Sequence, residues 1–287
     1  KGNIVTVAMN YAPVIGIQDE RGYFYRDQYN ALLNMNPVGR LKEEMGETMR
    51  TIVNGRVDLQ FNILPGLTYV TTNGIDYSDS KSYSFNTTKV STRSSLSNQN
   101  HYNRTLQSTN NLTYMGNWGD HSLTATAVYE ATTSQYRQMG ISGSNLMTES
   151  GNWWNINMAT SRSSSNNYSE WSLMSGVGRI LYNYGDRYLL TGTFRADGSS
   201  RFSNNKWGYF PSLAFAWNAG NEEFIKRQNF IQNLKLRASY GIVGSQAIGP
   251  YETLGLMSQT QYAFGGNSQY TGFWLGTSIP TPDLTWE

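Results

Sequence analysis

Residues 186–220 read DRYLLTGTFRADGSSRFSNNKWGYFPSLAFAWNAG, and the fold turns on which solvent their apolar side faces. Side chains alternate across a strand, so Tyr188, Leu190, Gly192 and Phe194 share one face while Leu189, Thr191, Thr193 and Arg195 share the other. Beyond a turn-like Asp197-Gly198-Ser199-Ser200, Tyr209, Pro211, Leu213, Phe215 and Trp217 oppose Phe210, Ser212, Ala214, Ala216 and Asn218. The pattern predicts an antiparallel hairpin with one greasy side. Such a side packs on a second sheet or meets lipid, and the hairpin alone leaves both open.

The same alternation recurs elsewhere. Val57, Leu59, Phe61 and Ile63 alternate with Arg56, Asp58, Gln60 and Asn62; Leu123, Ala125, Ala127 and Tyr129 oppose Thr124, Thr126, Val128 and Glu130; Leu234, Leu236, Ala238 and Tyr240 oppose Lys235, Arg237 and Ser239. Arg or Lys on a lipid face costs about 2–4 kcal/mol at the bilayer midplane, and Arg56, Lys235 and Arg237 all fall on the polar face. Short connections near Pro65, Gly116 and Tyr184, and a moderate GNEEFIKRQNFIQ with room for one helical turn, interleave with long polar stretches at 79–103, 134–168 and 245–282 and a tighter one at 196–206. Short turns at one rim and long loops at the other are what a transmembrane barrel needs. Tyr114, Trp118, Tyr182, Tyr184, Tyr188 and Trp217 would form an aromatic girdle at the short-turn rim, with Tyr129, Phe194 and Tyr240 toward the other. With a spanning strand of about ten residues as the ruler, the chain holds about eight strands and starts a ninth at Leu284.

Composition agrees. Charged residues make up 15% and aromatics 14% of the 287 residues, with 28 Gly against 7 Pro. A formal net charge of +2 with scattered Lys and Arg argues against nucleic acid. The absence of Cys excludes disulfides and thiolate metal sites, and no apolar run is long enough for a transmembrane helix.

The stretch YLLTGTFRADGSSRFSNNKWGYFPSLAFAWNAGNEEFI, followed by LKLRASYGIVGSQAIGPY, resembles the SusC/RagA family of TonB-dependent outer-membrane transporters. The likeness extends through GRILYNYGDRY, GDHSLTATAVYE and the terminal LTWE, and more weakly through APVIGIQDERGYFY and NPVGRL. It implies an all-β chain: an antiparallel segment of a barrel of about 22 strands in the bacterial outer membrane, importing glycans or peptides. Residues 1–48 would be an extracellular loop region leading into a partial barrel at 49–287. A SusD-like surface lipoprotein would cap the mouth, TonB would act through an N-terminal region and plug lying outside this chain, and membrane lipid would surround the wall. The family motif falls on Arg195, Asp197, Gly198, Ser199, Ser200, Arg201 and Phe202, then Phe210, Pro211 and Trp217, then Leu234, Lys235, Leu236 and Arg237. Its role is architectural, Asp-Gly suiting a tight bend and the two arginines tying the wall to neighbouring loops.

Catalytic, cofactor and metal chemistry is poorly supported. His101 and His121 lack metal-ligand spacing, and adjacent Glu222 and Glu223 point apart. GSSRF is not a hydrolase elbow. The long loops mix aromatics with amides, as sugar- and peptide-binding surfaces do: Trp153, Trp154, Tyr168 and Trp171 around one, Tyr262, Phe264, Tyr270, Phe273 and Trp274 on another. The rival to a barrel is a secreted, soluble β-sandwich binding or adhesin module, which requires the greasy faces to be buried by a second sheet.

Overall fold

The computed structural model describes residues 4–27, 35–227, 233–262, 270–276 and 279–287. Two seven-residue helices, α1 (Ile4–Asn10) and α2 (Pro37–Glu43), come first. Asn36 caps α2, its side-chain oxygen accepting from the N–H groups of Val38 and Gly39 at 3.0 and 3.2 Å. Pro37 occupies the first turn, where a missing N–H costs no helical bond.

Strands follow: β1 (Glu44–Leu64), β2 (Leu67–Asn86), β3 (Ser95–Trp118), β4 (His121–Leu146), β5 (Ala159–Tyr184), β6 (Tyr188–Ser199), β7 (Trp207–Trp217) and β8 (Leu236–Gly241). They form one eight-stranded sheet in chain order, and a separate hairpin pairs β9 (Met257–Tyr262) with β10 (Tyr270–Leu275). Residues 65–66 join β1 to β2, with Gly66 at a φ of 81° and its carbonyl accepting from Met115 N at 2.7 Å. A side chain there would strike the Met115 carbonyl. Residues 119–120 and 185–187 are equally tight, whereas 87–94, 147–158 and 200–206 are longer, so connection length alternates with strand parity. The connection 218–235 breaks this rule; it holds a 3-10 turn (Ala219–Asn221) and α3 (Glu223–Lys226).

By internal contacts the chain divides into two compact units, Lys1–Val53 with Asp76–Arg104 and Tyr136–Ser169, and Asn54–Ile75 with Thr105–Gln135 and Glu170–Glu287. In the first, Phe85, Val90, Leu96 and Ala159 are buried; in the second, Phe202, Ala219, Ser175 and Ser199.

Register across β5–β8 sorts the faces. Ile180 pairs with Gly192, Gly192 with Leu213 and Leu213 with Tyr240; one step toward the short turn, Tyr182, Leu190, Phe215 and Ala238 form the next row. The opposite face carries rows such as Arg179, Thr193 and Ser212, or Val177, Arg195 and Phe210. Nothing covers the apolar rows among the described residues. Ile180 and Leu213 are 56% and 57% exposed, and a Cβ added at Gly178 or Gly192 would meet no atom within 4 Å. The sandwich arrangement, which buries these faces under a second sheet, is therefore not what the chain adopts.

Several expectations need correction. The stretches 79–103 and 134–168 are mostly strand: β2 reaches Asn86, β3 starts at Ser95, β4 reaches Leu146 and β5 starts at Ala159. β4 and β5 have 26 residues each, or roughly 85 Å at about 3.3 Å per residue, far beyond a ten-residue span. Their outer halves are rich in Ser, Asn and Thr on both faces, so they lack the apolar alternation that marks a strand in sequence; the backbone ladder with neighbours holds them extended. Asp197-Gly198 is not a bend but part of β6, paired with Gly208 and Trp207. No strand forms at Leu284; residues 284–287 lie across the β6–β7 corner instead.

Candidate functional site

The motif residues build that corner. On the charged face of β6, Arg195 Nε donates to both Asp197 oxygens at 2.8 Å, and its outer nitrogen reaches Ser175 Oγ at 3.0 Å and Glu130 Oε2 at 3.5 Å. Two residues apart on a strand means the same face, which is why Arg-x-Asp pairs this way. Arg195 thus ties β6 to β5 and β4, not to a loop. Ser199 N donates to Lys206 O at 2.9 Å, closing the turn at 200–206, and Ser200 Oγ accepts from Ser172 N at 2.8 Å. Arg201 leaves the sheet: its guanidinium lies 4.6 Å from the centroid of the Trp171 ring and donates to Ile248 O at 2.8 Å.

Phe202 is buried against Trp286, with ring centroids 5.2 Å apart, and Phe210 meets the same indole edge-on at 5.5 Å. Trp286 Nε1 donates to Lys206 O at 3.1 Å, Ser203 and Thr253 share a 2.8 Å hydroxyl bond, and Asn204 Nδ2 donates to Asp283 at 2.8 Å. Gly198 leaves room for a neighbour, since an added Cβ would sit 3.0 Å from the Trp207 ring and the ring would have to give way. Pro211 stands on the apolar face opposite Phe194. Leu234 and Lys235 precede β8, which Leu236 and Arg237 open.

At the short-turn end, Trp118 stacks on His121, whose ring also lies 4.9 Å from Tyr184 and bonds the Tyr182 hydroxyl at 2.6 Å; Tyr184 stacks on Tyr188. Metal-ligand spacing, the one test that sequence offered for His121, carries no sign of this membership. Glu222 was missed too. It is buried, accepting from the Tyr188 hydroxyl at 2.7 Å and the Trp217 indole N–H at 3.1 Å, with Arg187 at 3.4 Å. The Tyr188 hydroxyl first, then the Trp217 N–H, hold its carboxyl below the usual carboxylate range, with Arg187 adding to them. The hairpin register that pairs Tyr188 with Trp217 was the available signal.

The aromatic candidates fall on several different elements. Trp153 and Trp154 lie in a 3-10 turn and pack on Tyr83, with ring centroids at 6.0 and 5.4 Å; Trp154 remains 70% exposed. Tyr168 and Trp171 stand on β5 rather than in a loop. Tyr262 ends β9, Tyr270 opens β10, and Phe273 and Trp274 follow it, so these sit on a hairpin; Phe264 lies outside the described residues. Sequence did not single out a groove of about 290 Å³ on β2–β5, lined by hydroxyls including Ser84, Ser95, Ser97, Ser142, Ser144 and Ser163, with Ser142 and Ser163 bonded at 2.7 Å. Its lining holds no carboxylate. Among the described residues no cluster of three or more His, Asp or Glu is placed to hold a metal ion, and no helix is long and apolar enough to cross a membrane.

No protein-family model matches the chain. It is 31% identical over its whole length to TonB-dependent receptor P3 of Formosa agariphila, of which it covers 29%, and 42% identical over 40% of its length to TonB-dependent receptor SusC of Bacteroides thetaiotaomicron, of which it covers 12%. In fold it is similar to the RagAB peptide transporter structure, with a TM-score of 0.78 at 21% identity over 88% of this chain and 28% of that one. The chain thus spans less than a third of the relatives it matches. It is similar in sequence to TonB-dependent receptors, SusC among them, and in fold to a stretch of the antiparallel barrel wall of the RagAB transporter.

Proposed function

We propose that the chain forms part of the wall of a bacterial outer-membrane barrel that imports oligomeric nutrients with TonB-derived energy, and that it performs no bond chemistry. The observation that carries this reading is the uncovered apolar face of β5–β8, backed by a face bearing Arg179, Arg195 and Arg237. Lipid is the solvent for the first and a wet lumen for the second. The short connections then face the periplasm and the long ones the exterior, with residues 1–48 entering the wall from outside. A SusD-like lipoprotein caps the mouth, and TonB engages a plug and N-terminal region supplied by a longer protein.

The cargo is a glycan or a peptide. The hydroxyl groove of β2–β5, with Arg162 as the one charged residue of its lining, suits a hydrogen-bonding chain rich in acceptors, and Trp154, Tyr262 and Trp274, all exposed, offer stacking surface. Tyr168 is also exposed but carries Arg137 over its ring, and Tyr270 is a candidate by its place at the start of β10. Trp171 is held by Arg201, and Trp153 packs on Tyr83. The test is uptake of labelled oligosaccharides and oligopeptides by cells with and without the gene, each with and without TonB. Uptake of one class that vanishes in both deletions is the expected result. A soluble, secreted product with uptake unchanged would contradict the proposal.

A further inference from the structure

The face of β4 that begins with Leu123, Ala125 and Ala127 continues by alternation through Tyr129 to Gln135 and Arg137. Arg137 is exposed, and its guanidinium carbon lies 5.8 Å from the ring centroid of Tyr102 and 5.6 Å from that of Tyr168. Tyr77 packs edge-on against Tyr102 at 5.4 Å. A guanidinium set over aromatic rings is attracted by their π faces while its five N–H donors still call for acceptors. Among the described residues Arg137 makes no ion pair, whereas nearby charges are engaged: Asp79 with Lys81 at 3.8 Å, and Glu170 with the Gln135 amide at 3.5 Å. Arg104 falls on the same face of β3, two positions from Tyr102.

Height decides the ligand. β4 runs unbroken from His121 to Leu146. Arg137 lies 16 positions along β4 from His121, past the roughly ten strand residues that span hydrocarbon. A cation gripped on the membrane side of the wall at this level meets lipid head groups, and Arg matches phosphate oxygens with two parallel N–H donors. We propose that Arg137, held between Tyr102 and Tyr168 and aided by Arg104, binds a phosphate on the head group of an outer-leaflet glycolipid. The inference rests on the membrane placement proposed above.

The test uses the protein isolated from outer membranes of the cells that make it, stripped of lipid and offered bisphosphorylated lipid A or the same lipid A after enzymatic dephosphorylation, with retained lipid measured by mass spectrometry. The expected result is about tenfold greater retention of the phosphorylated form, lost in Arg137→Gln and kept in Arg56→Gln, whose cation is paired with Asp58 on the other face. Equal retention of the two lipids by the unmodified protein, which needs no variant to fold, would overturn the head-group site alone. Absence of the protein from outer membranes would overturn the membrane reading with it.

Discussion

Leu213 and Ser212 are neighbours in β7 that the account assigns to different solvents. Leu213 pairs with Gly192 in the uncovered apolar row, and Ser212 pairs with Thr193 in the polar one. Leu213→Arg should cost about 2–4 kcal/mol, because this row lies near the middle of the apolar band, while Ser212→Arg should cost under about 1 kcal/mol; urea unfolding in lipid vesicles reads both. Phe202 presents the opposite situation, a fully enclosed ring under Trp286. Phe202→Ala should lose about 3–5 kcal/mol by the usual cost of truncating a buried aromatic, measured in the same assay. Glu222 titrates in a window set by its partners. Its carboxyl is held below its unfolded value by the Tyr188 hydroxyl first and then by the Trp217 N–H and Arg187, so its stabilisation is full above the unfolded value near about 4.3 and is lost as pH falls below it. The unfolding midpoint should therefore fall on acidification below about pH 5, and Glu222→Gln should flatten that part of the profile while lowering the midpoint at neutral pH.

Elements with alternating solvents were legible, and elements without were not. β6 and β7 could be drawn from sequence almost residue by residue, since Leu190, Phe194, Leu213 and Phe215 alternate with Thr191, Arg195, Ser212 and Ala214. The outer halves of β4 and β5 were lost because Ser142, Ser144, Ser161 and Ser163 place hydroxyls where a pattern search needs apolar residues. The same blindness hid the groove they line. Gly198 has the look of a turn residue in sequence, but it lies within a strand close against the Trp207 ring, a contact between strands that local turn chemistry does not see. Replacing Gly198 with Val should push Trp207 aside, and the displacement should appear as a shifted, quenched indole emission from a variant carrying Trp207 as its sole tryptophan. Arg201 was read as a tie to a loop and does reach Ile248, but its stacking on Trp171 was not visible, because nothing in sequence brings β5 to that corner.

At the scale of the whole molecule, the central claim is that one face of the wall meets hydrocarbon and the other water. Long strands, tight turns at one end and a girdle of Trp118, His121, Tyr182, Tyr184 and Tyr188 are consequences of that division. The chain has no Cys, so single cysteines can be placed at each position from Leu189 to Arg195 in the membrane-embedded protein without background and spin-labelled in turn. Collision with oxygen, which concentrates in hydrocarbon, should peak at Leu190, Gly192 and Phe194, and collision with a water-soluble nickel chelate at Thr191, Thr193 and Arg195. Two profiles of period two in opposite phase are the predicted result. Labels at 190, 192 and 194 shielded from both reagents would mean that the apolar face is buried against protein, and would contradict the account.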